Sequence, residues 1–386
     1  MATYSAIIEK CKKDWNCKDL MKPKRGRKIP FSSPLLNYAT YGGIPRGGIT
    51  EFFGVPGGGK STTAIDICKN AHVIFSEEYQ EEVAALQEQL VSGTKEEKRS
   101  AEIQLEELSE HGAKKVLYVD LEHSMDNDWA AKLGIRPEEI DVMRPPDTIA
   151  ESLLQAVQEL IESGEVGLIV LDSVPSLVTK AELEKKFGER TVSSLAGLLT
   201  IFFRKIVPLL TRYDATLLLI NQIRDNMDNP YVVNTPGGQA LKFYASLRIM
   251  FKIDVPIDFL GNKLPASSEN PAGYIITAKI VKQKSAPWDR KNASYHLLSQ
   301  SGIRVDMDFC KLAVEKYGII RKSGAWFYPY DPETREPVQD SNGKEVKLNG
   351  MVKVFEYVQT NTDYYNRLKT FIINDIEKSG IDNVSE

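Results

Sequence analysis

The sequence predicts an α/β fold in which a mainly parallel sheet is covered by helices on both faces. Short apolar runs alternate along the chain with longer stretches of helical periodicity. Buried strands that alternate with helices are typical of parallel sheets, because the crossover helices cover the two faces. The four runs that carry this alternation are ITEFFGV, KKVLYVDLE, VGLIVLDSV and ATLLLINQI.

The stretches between these runs have the pattern of amphipathic helices. The clearest of them, IAESLLQAVQELIESG, repeats apolar residues at intervals of three and four, which places them on one face of a helix. That face consists of Ile149, Leu153, Leu154, Val157, Leu160 and Ile161.

The chain also divides into regions of different pattern. SLRIMFKI and GYIITAKIVKQK follow each other without a helix, which favours an antiparallel extension of the sheet. From about Gly302 a smaller α+β segment begins, which contains GAWFYPYD. We therefore predict a core domain over residues 33–300 and a C-terminal domain over residues 301–386. Residues 1–32 would supply a short helix at 3–15 and a basic, proline-broken linker.

Residues 76–113 do not fit the alternation of strands and helices. They are highly charged, and their apolar residues recur at helical spacing on either side of SGT. Thr94 and Glu97 form a capping box for the second of two helices. We predict an inserted helical hairpin, and its role stays open between a solvated decoration and an arm that docks a partner. Its apolar positions are Tyr79, Val83, Leu86, Leu90, Ala101, Leu105 and Leu108.

Composition excludes some classes of protein. The net charge of −4 does not support a generally basic nucleic-acid binder, although a local basic groove can still bind. The four cysteines show no C-x-x-C spacing, which indicates reduced thiols and a cytoplasmic protein. No apolar run approaches the roughly 20 residues of a spanning helix, so we expect no membrane partner.

The stretch GVPGGGKS carries the pattern G-x-x-x-x-G-K-[ST] through Gly54, Gly59, Lys60 and Ser61. A strand leads into it and a helix leaves it, so backbone N–H groups and the positive end of the helix would face a phosphate. Lys60 would reach the β and γ phosphates, and Ser61 would hold Mg²⁺. The other nucleotide contacts that we expect are Pro56, Gly57, Gly58 and Thr62.

Two further apolar runs end in acids. Asp172 closes VGLIVLD, where it would bind Mg²⁺ through water; otherwise it would cap a helix. Asp120 and Glu122 close another run, and hydrolysis needs a group that orients or deprotonates the attacking water. Glu122 is our candidate for that base, with Asp120 as the alternative. Asn221 and Gln222 close a fourth run. A side-chain amide there would contact the γ phosphate, or it would only form a structural hydrogen bond at the end of the strand.

These four strand ends, in this order, resemble the RecA recombinase family, which comprises bacterial RecA and its phage relatives. GVPGGGKS, VDLEHSMD, LIVLDSV and LINQIR carry the resemblance, together with TPGGQALKFYAS. GGIPRGGITEFFG, KIVKQKSAPW and LAVEKYGIIRKSGAWFY extend it over roughly residues 33–75 and 114–330. The resemblance implies a RecA-type P-loop ATPase core that binds ATP and Mg²⁺ between adjacent subunits of a helical filament on single-stranded DNA. It also implies that the helix at residues 3–15 packs on the neighbouring subunit and that the basic linker bridges it to the core, unless that linker is only a solvated tether.

The resemblance also implies roles for single residues. Glu122 is similar to the family's water-activating glutamate, and Gln222 to the residue that couples the γ phosphate to a DNA loop. Asp126 and Trp129 fall where the family contacts adenine. Lys282 and Lys284 match the pair that reaches the neighbour's γ phosphate, unless they are only an exposed basic strand end.

Two DNA-binding loops are implied, at about residues 184–191 and 223–239. In the second loop Arg224 would supply charge and Gly237 and Gly238 would permit close backbone contact, with Gln239 beside them. Asp225 and Asp228 weaken its positive field, and the hairpin insertion departs from typical bacterial members.

The resulting prediction is a DNA-dependent ATPase that pairs homologous DNA and exchanges strands. Its implied partners are single-stranded and double-stranded DNA, further copies of itself, and a recombination mediator or single-stranded-DNA-binding protein. A ring helicase with the same core and a nucleotide-switched DNA-binding scaffold are the alternatives. The insertion and the short N-terminal segment favour a phage-type variant.

Overall fold

The structure, a computed structural model, describes residues 27–136, 138–186, 194–223 and 235–382. The helix predicted at residues 3–15 lies outside these ranges. The strands are β1 (Lys28–Ile29), β2 (Ile44–Pro45), β3 (Ile49–Gly54), β4 (Lys115–Asp120), β5 (Asp141–Met143), β6 (Val166–Asp172), β7 (Thr216–Gln222), β8 (Leu247–Ile257), β9 (Gly273–Gln283), β10 (Asn292–Leu298), β11 (Gly302–Ile303), β12 (Ile320–Ser323), β13 (Trp326–Pro329) and β14 (Leu348–Asn349).

The helices alternate with the strands through most of the core. They are α1 (Pro34–Thr40), α2 (Lys60–Ser92), α3 (Lys95–His111), α4 (Asn127–Lys132), α5 (Ala150–Glu162), α6 (Lys180–Leu183), α7 (Ser194–Tyr213), α8 (Gly238–Tyr244), α9 (Val305–Leu312), α10 (Met351–Thr360) and α11 (Thr362–Asp382). A single 3₁₀ turn, Val174–Ser176, follows β6, and a π-helical turn, Ala313–Tyr317, follows α9.

Nine strands form one sheet in the order β11-β10-β9-β8-β3-β7-β6-β4-β5. The strands from β8 to β5 are parallel to one another, and β8, β9, β10 and β11 pair in antiparallel fashion. The predicted fold class, including its antiparallel extension, is therefore confirmed. Because β3, β4, β6 and β7 are parallel, their carboxyl ends meet at one edge of the sheet.

Both faces of this sheet are buried, which explains the continuous apolar runs of its strands. Successive side chains of a strand point to opposite faces. Val170 of β6 accordingly lies in one hydrophobic core with Phe52 and Phe75, whereas Leu171 lies in another with Phe203. The face that contains Val170 packs on α2, and the opposite face packs on α5, α7 and α8.

The inserted hairpin is present, but its first arm is not a separate helix. Helix α2 runs without interruption from Lys60 to Ser92, and α3 returns beside it. At its midpoint α2 is held by Arg46, whose guanidinium contacts Glu78 at 2.6 Å and Asp214 at 2.5 Å. The hairpin thus continues the helix that begins at the phosphate-binding pattern.

The C-terminal segment builds a three-stranded sheet from β12, β13 and β14, with α10 and α11 beside it. The buried carboxylate of Asp308 in α9 ties this segment to the core, because it accepts hydrogen bonds from the Ser33 hydroxyl at 2.6 Å and the His296 amide at 3.0 Å. The division at residues 32 and 300 stays a prediction. Within the described ranges no helix is long and apolar enough to cross a membrane.

Candidate nucleotide-binding site

The phosphate-binding pattern lies where β3 passes into α2. Gly54 is the last residue of β3 and has a φ of 154°. A Cβ at this position would lie 2.1 Å from the carbonyl oxygen of Phe251 in β8, so only glycine lets the two strands pair here. The loop then turns through residues 55–59, and α2 starts with Gly59 as its N-cap residue. The amino end of α2 therefore faces the loop, as a phosphate site requires.

Lys60 lies folded over this loop. Its ammonium donates hydrogen bonds to the carbonyl oxygens of Val55 at 2.7 Å and Gly54 at 3.3 Å. Burial lowers the pKa of Lys60, while the charges of Asp172 and Glu122 act in the opposite direction. A phosphate at the loop would offer this buried cation a counter-charge that two carbonyl oxygens supply only in part.

Asp172 ends β6 beside the start of α2 and is almost fully buried. One of its carboxylate oxygens accepts a hydrogen bond from the Tyr118 hydroxyl at 2.6 Å. Burial raises the pKa of Asp172, and hydrogen bonds from Tyr118 and Ser61 oppose that rise. Asp172 and the Ser61 hydroxyl are therefore adjacent oxygen donors, which is the donor chemistry that Mg²⁺ prefers. Among the described residues no cluster of three or more His, Cys, Asp or Glu side chains could hold a metal by itself.

Glu122 follows β4, and its carboxylate lies between two side chains from neighbouring strand ends. Ser173 donates a short hydrogen bond to Oε1 of Glu122, and Gln222 donates another from Nε2 at 3.2 Å. Three of the four predicted strand ends thus meet around one carboxylate. Gln222 is also next to Ile223, the last described residue before residues 224–234.

Asp120, the alternative to Glu122, has a different environment. It is fully buried, and its carboxylate accepts hydrogen bonds from the amides of Ser124 at 3.1 Å and Met125 at 3.0 Å and from Arg144 at 3.2 Å. These donors fix the loop after β4. A carboxylate so occupied is poorly placed to take a proton from water, and this distinguishes Asp120 from Glu122.

A cavity of about 370 Å³ opens beside the loop. Residues 57–62 line one side of it, which includes Thr62, and the indole of Trp129 lines another. An aromatic ring in a cavity that begins at a phosphate loop suits a nucleotide base. Asp126 instead caps helix α4, where its carboxylate accepts the Asp128 amide at 2.8 Å. Pro56 lies in the exposed part of the loop. The rest of the lining consists of Tyr274, Leu297, Leu298 and Ser299.

Lys282 and Lys284 do not join this cluster. Lys282 pairs with Arg248, which stands three residues before Phe251, the partner of Gly54. Three residues of strand amount to about 10 Å, so both lysines lie toward the amino edge of the parallel strands. Their ammonium groups donate to the Phe243 carbonyl, and Lys282 also donates to that of Lys242. They are turned away from the phosphate loop of their own chain.

The residues proposed for DNA contact are only partly described. Arg224 lies outside the described residues, as do residues 187–191 of the first loop. Gly237 and Gly238 have left-handed backbone conformations and begin α8, and Gln239 lies in its first turn. All three lie within five residues of residue 234.

Some residues of interest carry no obvious sequence signal. Tyr118 stands in an apolar strand and looks like a core residue until its hydroxyl is seen on Asp172. Its position two residues before Asp120, and hence on the same face of β4, was the available signal. Phe243 is a large apolar side chain that is 70% exposed beside Lys284. Its exposure could be recognised only from the structure, because the sequence does not distinguish it from the buried apolar residues nearby.

Comparison with known proteins places this chain in a family. Residues 97–304 match the family model of the RecA N-terminal domain. Protein RecA of Thermus aquaticus is 31% identical over 354 residues, which cover 91% of this chain and 86% of that protein. Protein RecA of Chlorobaculum tepidum is 34% identical over 302 residues, 78% of this chain and 73% of that protein. Protein RecA of Bacteroides thetaiotaomicron is 31% identical over 85% of this chain and 86% of that protein.

The family model begins inside the hairpin and so leaves out the phosphate loop. A match over 354 of the 386 residues must nevertheless span that loop. The resemblance inferred from four strand ends and the similarity over most of the chain agree. The chain belongs to the RecA recombinase family.

Proposed function

We propose that this protein is an ATP-dependent DNA recombinase that assembles as a helical filament on single-stranded DNA and promotes homologous pairing and strand exchange. The observation that carries the proposal is the meeting of Glu122, Ser173 and Gln222 at the edge where the phosphate loop lies. In that arrangement the candidate base contacts Gln222, which immediately precedes the second DNA loop at about residues 223–239. Hydrolysis and DNA contact are thereby adjacent.

ATP would be held by the backbone of residues 57–62, with Lys60 on its terminal phosphates and Trp129 against the base. Ser61 and Asp172 would hold Mg²⁺, which supplies neutralisation of phosphate charge. Tyr118 would leave one oxygen of Asp172 available by engaging the other. Asp126, which caps α4, would contribute to the base site mainly by fixing the helix that carries Trp129.

Glu122 would orient the attacking water and accept its proton. Gln222 donates a hydrogen bond to Glu122 at 3.2 Å. A γ phosphate would compete for the same amide, because its oxygens are acceptors of higher charge. Transfer of Gln222 from Glu122 to the phosphate would free the base and shift the start of the second DNA loop in a single step.

The catalytic site would be completed by a neighbouring copy. Lys282 and Lys284 are turned from their own loop, and the exposed ring of Phe243 lies beside them. Two cations next to an unburied aromatic ring fit a surface that another subunit covers. In a filament these lysines would approach the γ phosphate of the adjacent chain and act in the manner of arginine fingers.

The test is the ATPase rate with and without saturating single-stranded DNA. We expect DNA to stimulate turnover, and Glu122→Gln to bind a fluorescent ATP analogue normally while turnover nearly vanishes. Glu106→Gln makes the same chemical change on the exposed face of the hairpin and should behave as wild type. Equal rates with and without DNA would refute a DNA-dependent ATPase, and normal turnover in Glu122→Gln would assign the base elsewhere.

Electron microscopy with single-stranded DNA and a non-hydrolysable ATP analogue tests the assembly. Helical filaments are the expected result, whereas closed hexamers would identify a ring helicase. A nucleotide-switched scaffold would show no turnover in a single-turnover assay. We further propose that the protein acts in the cytoplasm, that of a host cell if it is phage-encoded, and that a mediator or single-stranded-DNA-binding protein assists its loading.

A further inference from the structure

Glu51 is a charged residue in the middle of the core. It lies in β3, is fully buried, and forms an ion pair with Arg248 of β8, whose side chain is also nearly buried. Charges in an apolar interior are unfavourable unless they are paired and hydrogen-bonded. The mechanism above uses neither residue. The pair stands in the strand that leads to the phosphate loop, and we therefore ask which parts of the structure it holds in place.

The second carboxylate oxygen of Glu51 leads to the DNA loop. It accepts a hydrogen bond from Nδ2 of Asn221 at 2.9 Å, and the same Nδ2 donates to the Pro236 carbonyl at 2.9 Å. Oδ1 of Asn221 accepts the amide of Gln222 at 3.0 Å. One asparagine thus joins Glu51 to Gln222 at the start of the second DNA loop and to Pro236 at its end.

Arg248, the other member of the pair, lies next to the lysines. Arg248 is the cross-strand partner of Lys282, whose ammonium donates to the carbonyl oxygens of Lys242 at 2.6 Å and Phe243 at 2.7 Å. The pKa of Lys282 is lowered to about 8, chiefly by burial and then by Lys284 and Arg248, while Glu51 acts in the opposite direction. Glu51 therefore also offsets the repulsion between the two neighbouring cations.

Helix α8 lies between these two ends. Its amino end follows Pro236, which Asn221 holds, and its carboxyl end is held by Lys282 and Lys284. A seven-residue helix fastened at both ends moves as one body. Displacement of the loop at Pro236 would consequently reach Phe243 and the lysines.

We propose that Glu51 is a positioning residue that couples the second DNA loop to the surface carrying Lys282 and Lys284. The proposal rests on the proposed function, since it assigns the loop to DNA and the lysines to the neighbouring subunit. The coupling would run through a buried hydrogen-bonded network. DNA would act on the end of the network at the loop, and the neighbouring subunit would act on the end at the lysines. By reciprocity, filament contacts at the lysines would also tighten the hold of the loop on DNA.

The experiment compares the ratio of ATPase rates with and without poly(dT) in Glu51→Gln and wild type. We expect the ratio to fall by about five-fold or more, the usual lower range of allosteric coupling. The affinity for a fluorescent ATP analogue should stay at the wild-type value, because Glu51 does not line the nucleotide cavity. Because Glu51→Gln leaves Arg248 buried without its counter-ion, the double variant Glu51→Gln/Arg248→Met is measured beside it, in which both charges are absent.

Thr50→Val is the matched control. Thr50 precedes Glu51 in β3, is equally buried, and its hydroxyl finds no hydrogen-bond partner among the described residues. This variant should keep the wild-type ratio. A wild-type ratio in Glu51→Gln, or in the folded double variant if the single one does not fold, would overturn the proposal. Absence of poly(dT) stimulation in the wild-type protein would instead overturn the proposed function.

Discussion

Helix α2 has two halves that form for different reasons. In the half from Lys60 to Phe75, most residues that face the sheet are fully buried, among them Ile67 and Ala71. In the half beyond Ser76, Leu86 is the one residue of α2 that is buried, and glutamates cover the exposed surface. The first half is held by the sheet. The second half is stabilised by its contact with α3 and by the helix propensity of its residues.

The difference separates two sources of helix stability. Isolated helices are marginal in water, and packing of an apolar face usually supplies what propensity does not. The first half has that packing. Its position is also constrained, because its amino end must face the phosphate loop. The second half needs only a narrow seam around Leu86 and Ala101 and a good start for α3 at Thr94. Sequence changes should therefore have global effects at the first half and local effects at the second.

The largest effect is expected for Gly54→Ala. The new Cβ would lie 2.1 Å from the Phe251 carbonyl oxygen, so β3 and β8 would have to separate just before α2 begins. We expect loss of soluble protein, or of binding to a fluorescent ATP analogue in whatever remains soluble. Gly112→Ala is the control at the hairpin end. Its φ is also positive, but a Cβ there meets nothing within 4 Å, so the cost should not exceed about 1–2 kcal/mol. Equal loss in both variants would contradict the comparison.

A smaller global effect is expected for Phe75→Ala. The Phe75 ring lies directly on β6, where a Cβ at Gly167 would be 2.4 Å from it, and the Arg46 guanidinium lies 5.0 Å from its centroid. Removal of a buried phenyl ring should lower the free energy of unfolding by about 3–5 kcal/mol. Urea denaturation measures this change.

Val91→Ala provides the control in the distal half of the same helix. Val91 is 81% exposed, and surface substitutions of this kind usually change stability by less than about 0.5 kcal/mol. If Val91→Ala were as destabilising as Phe75→Ala, the distal half would have to be covered by something that the chain alone does not show. That result would favour the partner-docking role of the hairpin over the solvated decoration.

The positions of the candidate site residues could be predicted from the sequence where they follow from parallel strands. Glu122, Asp172 and Gln222 each end an apolar run, and carboxyl ends of parallel strands share an edge whatever the details of packing. Ser173, which follows Asp172, and Gln222 accordingly reach the Glu122 carboxylate from two neighbouring strand ends. The capping box of α3 was likewise predictable, because all of its atoms come from four consecutive residues.

The remaining features depend on contacts between distant residues. Nothing in the sequence places Lys282 toward the opposite edge from the phosphate loop, since this follows from the antiparallel register of β8 and β9. The presence of a tyrosine in an apolar strand also does not predict its hydrogen bond to Asp172. The choice between Asp120 and Glu122 also had to wait for the partners of each carboxylate. Long-range side-chain partners are the information that periodicity does not contain.

The smallest effect is expected for Thr94→Ala at the tip of the hairpin. The Thr94 hydroxyl accepts the Glu97 amide, and the Glu97 carboxylate accepts the amide and hydroxyl of Thr94 at 2.7 and 2.8 Å. Loss of an N-cap side chain costs about 1 kcal/mol of helix stability. Because α3 lies outside the core, hydrogen exchange should speed up in its first turn while the thermal midpoint of the protein and its ATPase rate stay unchanged.

The same variant has a signature in the pKa of Glu97. That pKa is lowered by the hydrogen bond from the Thr94 amide and then by the one from its hydroxyl. A lowered acid pKa means that the cap is fully formed above the ordinary pKa of glutamate and is lost as the pH falls through the lowered value. Removal of the hydroxyl should raise the pKa of Glu97 part of the way back, because the amide still donates. Titration followed by NMR measures this shift, and an unchanged pKa together with unchanged exchange would show that packing against α2, rather than the cap, starts the helix.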